Sequence, residues 1–177
     1  KNNTYRQGPN FARIGIIAVI VLGVLITIGI VANMLGSGNG TDAQRLVYRI
    51  DALAALAKQA DNRTSNEDLL KTSTELSLVL AGDSKALQGV LPAPKESKEL
   101  TDIKNAENDK SIIDQLKSAR TNHTFDATLR KALQDRLQAS YQLAGAAANN
   151  ASKSQRTVLS TIREHLQFYY KHLSSNQ

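Results

Sequence analysis

Residues 14–35 form a run of 22 positions without a charged side chain, and eleven of them are Ile or Val. At a rise of about 1.5 Å per residue, a helix of that length spans roughly 33 Å, enough to cross a hydrocarbon core of about 30 Å. The apolar region of a secretory signal is shorter, ~7–15 residues, and is cut away. The run therefore predicts a retained, single transmembrane helix, and with it a cell-membrane location.

The flanks predict an orientation. Residues 1–13 are a basic polar arm with Lys1, Arg6 and Arg13 and no acid, and cytoplasmic flanks are enriched in Lys and Arg. Arg45 and Arg49 on the other side oppose this more weakly. The expected topology has the N-terminus cytoplasmic and the C-terminal domain extracytoplasmic. Gly36-Ser37-Gly38-Asn39-Gly40 follows the run directly and reads as a flexible hinge, because glycine populates backbone conformations other residues avoid.

Residues 41–177 make the remaining domain and carry all 16 acids and 19 of the 22 bases. Its apolar residues recur at helical spacing. Leu46, Ile50, Leu53, Ala57 and Ala60 step by four and three, the seam of a packed helix. Thr64 with Glu67 predicts a capping box before a second helix burying Leu69, Leu76, Val79 and Leu80, with a break or bend expected at Gly82-Asp83. A short turn carrying Leu87, Val90 and Leu91 runs into Pro92-Ala93-Pro94, the clearest interior boundary. Leu100, Ile103, Ile113 and Leu116 line a third region, either one long helix or two separated near Asn108. Phe125, Leu129, Leu133, Leu137, Tyr141 and Ala144 line a fourth, and Leu159, Ile162, Leu166, Tyr169 and Leu173 a fifth. Strand-type alternation is absent outside the run. The fold class expected is all-α: a single N-terminal transmembrane helix followed by an antiparallel up-and-down bundle of four to five helices.

The chemistry-bearing residues exclude more than they propose. With no cysteine, the chain has no disulfide framework and no thiol nucleophile. His165 and His172 are seven apart, beside the seam positions Leu166 and Leu173, and no Glu stands three before any His, so neither a zinc pair nor a di-metal bundle is expected. No serine sits in a nucleophile context and no glycine loop could cradle phosphate. The reading is of a non-enzyme without catalytic, metal-binding or cofactor-binding residues and without a cofactor. Nucleic acid is not expected either, since the bases are interleaved with acids and the chain has no Trp and three Phe, too few for stacking platforms. Five Asn-x-Ser/Thr triplets begin at Asn2, Asn39, Asn62, Asn122 and Asn150. Turns and caps select the same residue types, and that reading is favoured over one of glycan acceptors.

Two surfaces suggest association. Gly23 and Thr27, like Gly29 and Asn33, are four apart, a small-residue arrangement that lets helices approach closely in lipid. Arg130, Lys131, Arg136, Lys153, Arg156, Arg163 and Lys171 give the last two helices a basic tilt that could lean on an anionic surface. The expected partners are membrane lipid, other membrane or envelope proteins, and a second copy through the span. The leading function is a membrane-anchored scaffold or interaction module. The alternative is a structural subunit of a filament or large membrane assembly. That second architecture resembles type IV pilin-like subunits, which also join an apolar N-terminal helix to a soluble domain. The pilin motif itself is missing: a polar arm precedes the apolar run, and residues 14–35 contain no acid.

Overall fold

The computed structural model describes residues 41–175 except 62, 94–96 and 109. The predicted span 14–35, the arm 1–13, the hinge 36–40 and the association face Gly23, Thr27, Gly29 and Asn33 lie outside the described residues. Among the described residues every regular element is helical: α1 (Thr41–Ala57), continued by a 3-10 turn at Lys58–Ala60, α2 (Glu67–Val90), α3 (Lys98–Glu107), α4 (Lys110–Thr121), α5 (Phe125–Asn149) and α6 (Lys153–Ser175). None of these is long and apolar enough to cross a membrane.

The long helices α1, α2, α6 and α5 pack in that order into a closed ring, each against two neighbours. Polar contacts give their directions. Gln155 at the start of α6 donates to the Val90 carbonyl at the end of α2, at 3.2 Å. Arg130 and Gln134, early in α5, donate to the Leu173 carbonyl late in α6, at 3.3 and 3.0 Å. Neighbours are therefore antiparallel around the ring. Its centre is filled by Leu46, Ile50, Leu53, Leu69, Leu76, Leu80, Leu87, Leu129, Leu133, Leu137, Leu159, Ile162 and Leu166, all at 0 or 1% exposure. These are the seam residues of the periodic pattern, because one narrow apolar stripe per helix can be covered only by turning all four inward.

This ring dictates the path of α3 and α4. α2 finishes at the end of the bundle where α6 starts, whereas α5 must begin at the opposite end. The chain has to climb back along the bundle, and 22 helical residues at about 1.5 Å each supply about 33 Å for it. α3 rests on α1 and α4 on α5. The break between them falls at Asn108, one of the two forms the polar sequence there allowed.

Local chemistry sets the joints, with two corrections to the sequence pattern. The cap of α2 is Asn66, whose side chain accepts from Leu69 N at 2.9 Å, while Thr64 accepts from Asn66 N at 3.0 Å. An Asn at that position is as good an N-cap as Ser or Thr and sits two residues closer to the first turn than Thr64. The expected break at Gly82-Asp83 does not occur, and α2 runs on to Val90. A β-carbon at Gly82 would meet nothing within 4 Å, and the buried Leu80 and Leu87 on either side carry the helix through a residue of poor propensity. Asn122 to Thr124 form the turn between α4 and α5. His123 has a φ of 57°, with Thr124 N bonded to the Ala119 carbonyl and His123 N to that of Arg120. This is the left-handed helix end that usually takes glycine.

Two opposite exchanges should therefore both raise the melting temperature. Gly82→Ala should stabilise by about 0.5–1 kcal/mol. His123→Gly should stabilise by up to about 1 kcal/mol, since relief of the left-handed strain exceeds the added chain entropy. Far-UV circular dichroism melts of the full chain in mild detergent check both, and a lower melting point for Gly82→Ala would mean that α2 is not regular there.

Candidate interaction site at a buried arginine–glutamate cluster

Glu107 is the last residue of α3, and its side chain is 2% exposed. Arg49 grips it as a fork, Nε to Oε2 and Nη2 to Oε1, both at 2.8 Å. Arg45 Nε reaches Oε1 at 2.8 Å, and Arg136 Nη1 stands 3.5 Å from Oε2. Three helices thus converge on one carboxylate: α1 gives Arg45 and Arg49, α5 gives Arg136, and α3 gives Glu107. The planar guanidinium suits this because its donors match both carboxylate oxygens at once. Arg49 also donates through Nη1 to the Ala139 carbonyl on α5 at 3.3 Å, tying α1 to α5 beneath the carboxylate.

The placement opposes local preference. A carboxylate at a helix C-terminus faces the negative end of the helix dipole, so Glu107 is held by the arginines and not by its own helix. Burial pushes its carboxyl up, but the hydrogen bonds and charges of Arg49 and Arg45 outweigh burial and leave the group below its ordinary value of 4.5. Beside the cluster, under the α3–α4 joint, is a cavity of about 110 Å³ lined by Leu53, Leu56, Glu107, Ile112 and Arg136 among others.

A second polar seam joins α2 to α6. His165 Nδ1 lies 3.0 and 3.1 Å from the two oxygens of the buried Asp83, and His172 is 4.0 Å from Asp68. Burial raises the Asp83 carboxyl above its ordinary 3.8, and the hydrogen bond and charge of His165 only partly offset it. Phe168 stacks on His172 at 6.2 Å between ring centroids. The histidines beside the seam are thus bundle fasteners. Among the described residues no cluster of three or more His, Cys, Asp or Glu could hold a metal.

The predicted basic surface is divided. Arg136 turns inward to Glu107. Arg163 lies over the Tyr141 ring, 4.5 Å from its centroid, and donates to the phenol oxygen at 2.8 Å. Arg130 donates to the end of α6, and Lys131 pairs with Asp135 at 3.1 Å. Lys153 and Arg156 flank a shallow depression with Thr157 and Ser160 at the start of α6, the opposite end of the bundle from Arg130. Lys171 is exposed.

The sequence pattern assigned Arg45 and Arg49 to the flank of the span and missed the cluster. A signal was present: Arg45, Arg49 and Arg136 each stand one residue before a seam leucine or isoleucine, on the rim of an apolar stripe. No family model, curated protein or solved structure matches this chain. Its class rests on the fold alone, an all-helical bundle whose most buried charges join its crossover to its ring.

The two carboxylates should give opposite pH responses. Glu107, held below its unfolded value, contributes stability above that value and loses it as pH falls through the folded one. Glu107→Gln should therefore cost up to about 3–5 kcal/mol at neutral pH by leaving buried arginines without their carboxylate. The gap to wild type should close as pH drops below 4.5. Asp83, held above its unfolded value, favours the folded state at low pH and loses that advantage as pH rises. Asp83→Asn should be neutral or stabilising at neutral pH, with its advantage vanishing towards 3.8. Urea unfolding across the acid range reads both, and parallel slopes for the two variants would contradict the assignment.

Proposed function

We propose that this chain is a membrane-anchored, non-enzymatic helical-bundle protein that acts as a scaffold or interaction module on the extracytoplasmic side. The carrying observation is the uncharged run 14–35, long enough to span a bilayer and separated from the bundle only by the glycine-rich segment 36–40. In this reading residues 14–35 cross the membrane, the basic arm holds the N-terminus in the cytoplasm, and the bundle stands just outside. The bundle's charged groups support a binding role over chemistry, because the buried ones fasten helix to helix. Leu78 on α2 and Phe168 on α6, at 69% and 62% exposure, supply apolar contact points for other envelope proteins.

A second reading, a structural subunit of a filament or large membrane assembly, draws on the spacing of Gly23 with Thr27 and Gly29 with Asn33. In that case the span packs against copies of itself.

The chain should stay with membranes through an alkaline carbonate wash, and protease added to intact cells should digest residues 41–177. Protection of those residues would sink the stated orientation, and release by carbonate would sink the anchor. Replacing Gly23 and Thr27 by Leu should leave particle size in mild detergent unchanged for an anchored module. A drop from a large particle to a small one would favour the assembly subunit.

A further inference from the structure

We infer that the outward face of α2 is a self-complementary surface on which a second copy of this chain docks, helix against antiparallel helix about a two-fold axis. α2 has two faces. Leu69, Leu76, Leu80 and Leu87 close the centre of the ring. On the far side Lys71, Glu75, Leu78, Gly82, Lys85 and Gly89 are all exposed. These six recur at steps of 4, 3, 4, 3 and 4, the spacing of a coiled-coil seam. The crossover lies elsewhere, α3 on α1 and α4 on α5.

Apolar contact is available at the middle of this face. Leu78 and Phe168, at 69% and 62%, are the exposed large apolar side chains among the described residues. His165 meets Asp83 and His172 stands by Asp68. These contacts set Phe168 on α6 between the two levels, beside the stretch of α2 that holds Leu78. One turn on from Leu78 is Gly82, where a β-carbon would meet nothing within 4 Å, and the same holds at Gly89. A large side chain next to a gap makes a knob and a hole on one exposed face, and glycine lets a second backbone come close.

Charge complementarity selects a second copy as the occupant and fixes its direction. Laid antiparallel with Leu78 opposed to Gly82, two α2 helices also bring Glu75 of each copy opposite Lys85 of the other, and Lys71 opposite Gly89. Every layer repeats when the copies are exchanged, the condition for an isologous two-fold contact. Laid parallel, the same face would set Glu75 against Glu75 and Lys85 against Lys85, which repel. The two-fold axis of the antiparallel pair runs crosswise to the helices and leaves α1 on the same side of the pair in both copies. Both Thr41 ends can therefore leave toward one membrane, with the two Phe168 rings on the other side. One helix per copy makes an interface at the small end, below about 1,200 Å², so the pair is reversible and favoured where anchored copies are concentrated. This deepens the interaction-module reading by making the partner a second copy, and rests on it for that concentrating effect. Release by carbonate would remove the anchor, whereas absence of the contact tested below would remove the pairing alone.

The chain has no cysteine, so introduced thiols report the contact without background. Full-length Lys71→Cys and Gly89→Cys chains, differently tagged, are co-expressed and their membranes oxidised. A disulfide needs Cα atoms within about 7 Å, so mixed dimers should exceed same-variant dimers at least about fivefold. Lys85→Glu added to both chains should lower the mixed dimer at least about threefold, because Glu75 then faces a like charge. Adding Glu75→Lys as well should restore it, which a folding defect would not do. The mixed dimer should also persist when Gly23 and Thr27 are replaced by Leu. Same-variant dimers in excess would mean parallel pairing and overturn the proposal. So would an absence of mixed dimers, or failure of the double reversal to restore them. Loss of the mixed dimer on replacing Gly23 and Thr27 would assign the contact to residues 14–35 and overturn it too.

Discussion

Four helices with one narrow apolar stripe each can hide those stripes only by facing a common centre, and this constraint shapes everything else in the bundle. Once α1, α2, α6 and α5 close into an antiparallel ring, α5 has to start at the end opposite to where α2 stops. The chain must travel the length of the bundle outside the ring, and α3 and α4 are that journey. They inherit a position in which little apolar surface remains to be covered. Such a segment needs another means of attachment, and Glu107 supplies it.

The electrostatics divide along the same geometry. On the α1–α5 side the Glu107 carboxylate is surrounded by arginines, so charge attraction wins over desolvation and the ionised form is favoured. On the α2–α6 side a buried carboxylate has one imidazole partner, and desolvation wins. Two acids of similar burial are thus pushed in opposite directions by the number and kind of their partners. Breaking the first takes the carboxylate away from the buried Arg49 fork, whereas neutralising the second removes a cost.

Individual residues show how far the sequence could be read. Leu129, Leu133 and Leu137 on α5, or Leu159, Ile162 and Leu166 on α6, recur at the helical period, and all are fully buried. The joints were less legible. Gly82 looks like a break because glycine lowers helix propensity, but neighbouring core contacts outweigh that local term. Thr64 and Asn66 are both good caps, and only the path of the chain selects between them. The cluster was the least legible part, since Arg136 reads as surface when its helix is viewed alone.

By itself, the sequence determined that the domain is helical, which face of each long helix is apolar, and that residues 14–35 form a run long enough for a bilayer. These follow from periodicity and length, which are properties of one segment at a time. Only the tertiary structure decided that Arg45, Arg49 and Arg136 meet Glu107, and that His165 meets Asp83. A stripe's rim residues look alike in sequence, and whether a rim charge meets water or another helix depends on which neighbour packs there. That choice belongs to the ring and its crossover, because contacts between residues 58 or 82 positions apart leave no periodic trace in either segment.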